Sequence, residues 1–145
     1  MPEVLWEAGA RCPEFTLTTR GALDVAREVR RVLPDDLLLA VGTVRTEQHA
    51  READAGADFL VSQVLRPALV DLARGQGVPF ITGTVTPPMM PTGGVGIHEI
   101  DDYLDRGAAA VGLSGPLLGD ALLPGGDLDA LAERARRATA ATSAR

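Results

Sequence analysis

The feature that most constrains this chain is a repeating unit: an Ala/Arg/Asp/Glu-rich amphipathic segment, then a glycine, then a short apolar run. EAGARCPEFTL, DAGADFLVS, GQGVPFITG and DRGAAAVGLS are the clearest copies, and a fifth uses LPDD before LLLAVGTV. Gly9, Gly56, Gly77 and Gly107 stand where a helix end needs a residue tolerant of the left-handed conformation, with a buried strand to follow. The apolar runs do not alternate with polar residues, as expected of strands covered on both faces in a parallel sheet. Strands are expected to begin near Arg11, Leu37, Asp58, Pro79 and Ala108, with helices at roughly 22–32, 47–55, 66–75, 97–106 and 127–139. Such alternation predicts an α/β fold, either a barrel or a doubly wound sheet.

The rhythm then fails at one place. The first four strand starts lie about 20 to 26 residues apart, enough for a crossover helix each time. From Pro79 to MMPTGG there are only about ten residues, too few for a parallel crossover, which needs a dozen or more. Pro87 and Pro88 in TVTPPMMPTGG remove donors and fix φ, so a helix is not expected there. The stretch from about 86 to 92 is expected to be irregular or to pair unlike the other strands.

Bulk properties narrow the function class. The chain has 145 residues, 46% of them hydrophobic, enough for one globular domain with its own core. A net charge of -6 and the lack of a basic run argue against nucleic-acid or anionic-membrane partners. No segment approaches the roughly 18 apolar residues of a membrane span. The opening MPEVLWEAGARC has no basic leader, and its Cys12 is the only cysteine, so no intramolecular disulfide can form; a cytoplasmic location is expected. All 14 basic side chains are arginine. Without a lysine amine no side chain of this chain can form a Schiff base, because guanidinium stays protonated and is a poor nucleophile.

GARCPEFTLTTRGALDVAREVR, LLLAVGTV, GADFLVS, VPFITGTVTP and MPTGGVGIHEIDDYLDRGAAAVGLSG, in this order and spacing, resemble the 2-keto-3-deoxy-6-phosphogluconate (KDPG/KHG) aldolase family. The resemblance implies a (β/α)8 TIM-type barrel, usually trimeric. Its members cleave 2-keto-3-deoxy-6-phosphogluconate to pyruvate and glyceraldehyde 3-phosphate through a lysine Schiff base, with no metal or organic cofactor. Two blocks of the family pattern are absent. One is the first strand and part of the first helix, which should precede Val4. The other falls between Pro87 and Met89, where the family has a helix, the sixth strand with its lysine in a K-x-F-P-A context, and another helix. The expectation is one truncated domain over 1–145, an incomplete barrel with about six of eight β/α units.

The resemblance also assigns roles to particular residues. Glu14 matches the general acid/base, which needs a carboxylate whose pKa burial has raised so that it both takes and gives a proton. The alternative is a Glu14 that points outward or pairs with an arginine. Thr18 stands where much of the family has an arginine gripping the pyruvate carboxylate, which weakens the case for tight carboxylate binding. Arg20 lies two residues on, about 6–7 Å along a strand, a poor substitute. Thr43 matches a pyruvate-site residue able to donate to a carboxylate oxygen; read from the residues alone it is equally a β-branched strand residue. Thr92, Gly93 and Gly94, with Gly112 and Ser114, match the phosphate loops after the seventh and eighth strands, where backbone N–H groups and a helix start favour an anion. These glycines could equally serve only to turn the chain. Leu113 replaces a frequent glycine and narrows that pocket.

His49 and His98 lie in charged helical segments and read as solvated residues, and no spacing suggests zinc. Asp101 and Asp102 near Glu99 read as a solvated helix face, with a divalent ion left open. Trp6 and Tyr103 read as packing residues. Three functions follow: an aldolase-family protein inert or nearly so as this chain; a non-catalytic module that binds a keto acid or sugar phosphate or self-associates; or a gene fragment that folds poorly.

Overall fold

The computed structural model describes residues 2–34, 36–53, 56–83 and 89–143. In chain order the elements are α1 (Pro2–Glu7), β1 (Glu14–Thr16), α2 (Ala22–Val32), β2 (Ala40–Gly42), α3 (Glu47–Ala53), β3 (Phe59–Ser62), α4 (Pro67–Gln76), β4 (Phe80–Thr82), a 3-10 turn (Ile97–Glu99), α5 (Ile100–Asp105), α6 (Gly115–Leu118) and α7 (Leu128–Ser143). They fall into two compact units, one of Arg11–Thr84 and one of Met1–Ala10 with Val85–Arg145.

The Arg11–Thr84 unit is a parallel sheet in the order β1-β2-β3-β4, with a helix between each pair of strands. Helix α2 forms where expected because Ala22, Ala26 and Val29 recur on one stripe and are buried, while Asp24 near its start and Arg30 and Arg31 at its end suit the helix dipole. It stops before Pro34, which holds Leu33 extended. Helix α4 opens on Pro67 and closes on Gly77, whose φ of 74° lets its N–H reach the Ala73 carbonyl.

The strands are shorter than their apolar runs. The β1–β2 ladder already begins at Arg11, whose carbonyl accepts from Leu38 N–H, but Pro13 has no N–H to offer. Burial also differs from expectation. Strand β2 is buried throughout, whereas β3 alternates and Ile81 of β4 is 39% exposed. Partnered residues of parallel strands share a face, so Glu14, Thr16, Ala40, Gly42, Val61 and Ile81 lie on one side. The opposite side carries the buried Val41 and Leu60. On this second face Ser62 is buried too, whereas Phe15, Phe80 and Thr82 are half-buried.

In the other unit, α7 buries Leu131, Ala135 and Ala138 along one stripe, and α1 and α5 pack on it. Gly9 at the end of α1 lies against Thr139, where an added Cβ would come within 3.0 Å of Cγ2. The strand expected from Ala108 is reduced to a single parallel bridge, Thr92 with Gly112, the 3-10 turn and α5 lying between them. Among the described residues there are thus four strands paired in parallel in one unit and two further strand positions paired in parallel in the other, in β/α succession along the chain. The fold class is α/β, an incomplete set of the β/α units of a barrel. The expectation for 86–92 falls mainly outside the described residues; of its remainder, residues 89–91 belong to no helix or strand and Thr92 makes the bridge. No helix among the described residues is long and apolar enough to cross a membrane.

Candidate functional site

The candidate residues divide between the two units, and each group has its own geometry. In the Arg11–Thr84 unit, Glu14 reaches along the sheet so that its carboxylate lies directly over Gly42. A Cβ on Gly42 would coincide with Glu14 Oε1 and lie 2.6 Å from Cδ. Only glycine at position 42 leaves room for this placement. Glu14 is exposed as a residue, yet its carboxyl is tucked against the sheet, and burial raises its pKa above the ordinary carboxylate value. Among the described residues no arginine pairs with it. The ion-pair alternative weighed for this residue therefore does not hold there.

Thr43 is not a strand residue. It follows β2 with φ 64°, a left-handed conformation that is a true outlier for a β-branched side chain, and it is only 6% exposed. Gln63 Nε2 donates to its hydroxyl at 3.3 Å. Thr18 and Thr19 also leave the strand, because β1 ends at Thr16 and Thr19 N–H returns to the Thr16 carbonyl at 2.9 Å. Arg20 therefore lies beyond this turn and not on an extended strand two residues from Thr18. Thr18 is exposed in this turn and donates to Thr16 Oγ1 at 3.1 Å. Thr16, Thr43 and the carboxylate that Glu14 extends from the start of β1 over Gly42 thus gather at the C-terminal ends of neighbouring strands, the end at which barrel enzymes place chemistry. Gln63, just past the end of β3, joins them and was missed from sequence. An amide two residues after an apolar run carries no signal that it bonds across a strand.

The opposite end of the same sheet is held by Arg30. Its guanidinium donates to the Leu37 and Pro34 carbonyls and to Asp58 Oδ2, and the same Asp58 oxygen accepts from Leu39 N–H at 2.7 Å. This is a structural clip at the foot of β2 and β3.

In the second unit, Thr92 and Gly112 are bridged, and Gly112 has no side chain because a Cβ would meet Thr92 Oγ1 at 2.5 Å. Gly93 and Gly94 both take left-handed φ, 82° and 81°, so the turn itself requires them. Among the described residues nothing lies within 4 Å of the Cβ positions at Gly93 and Gly94, which leaves space beside the loop. Ser114 is exposed and precedes α6, making no side-chain cap bond. The two glycine-bearing loops expected to hold phosphate therefore start side by side. Helix α6 is a single turn, so any dipole it supplies is small. Leu113 is half-buried. Arg134 of α7 donates to the Leu117 and Leu118 carbonyls at 2.6 and 3.0 Å and closes that turn from below.

The histidines have local tasks. His49 Nδ1 accepts from Arg45 N–H at 3.5 Å beside the start of α3, and His98 lies exposed against Gly96. Asp102 pairs with Arg106 at 2.9 Å, and Glu99 accepts from Gly96 N–H. No group of three or more acidic, histidine or cysteine side chains among the described residues could hold a metal ion.

A parallel α/β succession with a carboxylate and hydroxyls at its strand ends defines the chain as a β/α-barrel-type protein. The family model for KDPG and KHG aldolases matches residues 1–89. This chain belongs to the KDPG and KHG aldolase family. It is 29% identical over 143 residues to the 2-dehydro-3-deoxy-phosphogluconate aldolase of Haemophilus influenzae, covering 72% of this chain and 67% of that protein. With the enzyme of that name from Treponema pallidum it shares 38% over 84 residues, 57% of this chain and 40% of the relative. The chain therefore spans two thirds or less of the length of these relatives. Among solved structures, a 4-hydroxy-2-oxoglutarate/2-dehydro-3-deoxyphosphogluconate aldolase superposes with TM-score 0.80 at 28% identity, over 96% of this chain and 84% of the other. The KDPG aldolase of Legionella pneumophila, solved with pyruvate as a covalent carbinolamine, has the same fold at TM-score 0.82 and 20% identity, over 93% and 84% of the two chains.

Proposed function

We propose that this chain is a KDPG aldolase-type domain that binds a keto acid or sugar phosphate without forming a Schiff base. The observation that carries the reading is the pairing of a retained carboxylate, Glu14 seated over Gly42, with a sequence that contains no lysine at all. Aldol cleavage by this family's route needs an amine to form the carbinolamine and withdraw electrons from the scissile bond. No improvement in positioning replaces that covalent step. Acid/base chemistry at Glu14 remains available, since a carboxyl with a raised pKa takes up and releases a proton closer to neutrality than an ordinary one.

The same reading places the loss of the lysine strand at the junction between Pro87 and Met89. The family model ends at residue 89, beside that junction. The alignment with the Haemophilus influenzae protein runs over 143 residues while drawing on 72% of this chain, so more than a quarter of its positions fall opposite gaps here. Structural similarity nevertheless continues over 96% of the chain, which supports an aldolase origin for both sides of the junction. Thr43 and Glu14 would meet the keto acid, and Thr92, Gly93, Gly94, Gly112 and Ser114 would meet a phosphate. Thr18 stands in place of a cation and its proton goes to Thr16 Oγ1, so a carboxylate is held by the neutral Thr43 hydroxyl. In this reading residues 1–145 are one cytoplasmic domain that self-associates.

Calorimetric titration with pyruvate and with glyceraldehyde 3-phosphate tests the binding function. Saturable heat from either ligand supports it. No heat from either with a protein that melts cooperatively would leave the chain without the proposed role.

A further inference from the structure

We infer that Gln63 is a positioning residue that turns Thr43 into a fixed hydrogen-bond donor toward an oxygen of a bound 2-keto acid. The inference rests on the binding function just proposed. A threonine hydroxyl has one proton and two lone pairs. At Thr43 one lone pair is taken by Gln63 Nε2, and no acceptor for the proton stands among the described residues. The proton is thereby left for a ligand, although the residue is only 6% exposed.

The backbone holds both partners of this hydrogen bond in place. On one side of Thr43 the Gly42 carbonyl accepts from Leu17 N–H at 3.0 Å; on the other, Val44 N–H donates to the Val61 carbonyl at 3.0 Å. Thr43 is thus pinned between β1 and β3 at φ 64°, a conformation that persists in a β-branched residue only where its surroundings impose it. Gln63 is pinned as well. Gly83 N–H donates to the Ser62 carbonyl at 2.8 Å, and the Gln63 carbonyl oxygen occupies the space that a Gly83 side chain would need. Val64 N–H donates to Ser62 Oγ at 3.2 Å and closes the turn. The exposed Gln63 side chain therefore reaches back to β2 from a fixed base. The Glu14 carboxylate, held from β1, lies over Gly42, the residue that precedes the oriented donor Thr43.

The test is a double-mutant cycle on the full chain, with pyruvate as the probe and ligand-observed NMR as the readout. Gln63→Ala is expected to weaken pyruvate binding about fivefold or more, the effect of one neutral hydrogen bond, and Gln63→Met to do the same without a change in side-chain length. In a Thr43→Val background Gln63→Ala is expected to change binding less than twofold, because the hydroxyl it orients is gone. Thermal melts establish that each variant folds. Wild-type binding with Gln63→Ala and Gln63→Met both within twofold of it would overturn the role of Gln63 alone. So would an equal loss in the Thr43→Val background. Absence of pyruvate binding by the folded wild-type chain would overturn the binding function and this inference together.

Discussion

At the scale of single residues, Glu14 and Thr43 each hold an unfavourable state that the fold imposes. Burial raises the Glu14 pKa, so above the ordinary carboxylate range its ionised form is less comfortable in the folded chain than in the unfolded one. The folded state then binds more protons than the unfolded state between the two pKa values, and stability falls as pH rises through that window. Glu14→Gln is expected to be more stable than the wild type at neutral pH and to lose this advantage below the ordinary carboxylate range. Urea melts at the two pH values measure it, and equal differences at both would contradict the assignment. Gly42→Ala places a methyl group where the carboxylate sits, so it should drive Glu14 into water and bring its pKa down toward the ordinary value. An NMR titration of Glu14 in that variant reads the shift. At Thr43 the comparison is Thr43→Gly with Thr43→Ala. Both lose the hydroxyl, but only glycine accepts φ 64° without strain, and it should be the more stable of the two by about 1 kcal/mol in denaturant melts.

At the scale of elements, two arginines hold strand and helix ends. Arg30→Ala removes three hydrogen bonds at the foot of the sheet and leaves Asp58 with only the Leu39 N–H. The cost expected is about 1 to 2 kcal/mol, reduced from that of a buried charge pair because both side chains are partly in water. The helices of this chain were well written in its sequence. Residues 22–32 form α2 as the amphipathic pattern indicated, and Gly9, Gly77 and Gly107 adopt the left-handed conformation asked of them. The strands were legible in place but not in extent. Apolar runs such as LLLAVG include residues that approach the ladder before entering it, and a run buried on one face reads like a run buried on both. Glu14 was legible as a carboxylate in an apolar strand. The Thr43 conformation and its bond to Gln63 were not, because a β-branched residue after a strand reads as more strand, and cross-strand partners are set by register.

At the scale of the whole molecule, the proposed function joins a (β/α) succession that carries Glu14 and two glycine loops with a sequence that contains no lysine. The interrupted rhythm near Pro87 is the sequence feature behind the proposed loss of the lysine strand, because strand starts about ten residues apart leave no room for a crossover helix. The most direct measurement is mass spectrometry of the intact chain after incubation with pyruvate and borohydride. An unchanged mass, with a family aldolase labelled in parallel, is the expected result. A stable pyruvyl adduct on this chain would contradict the account.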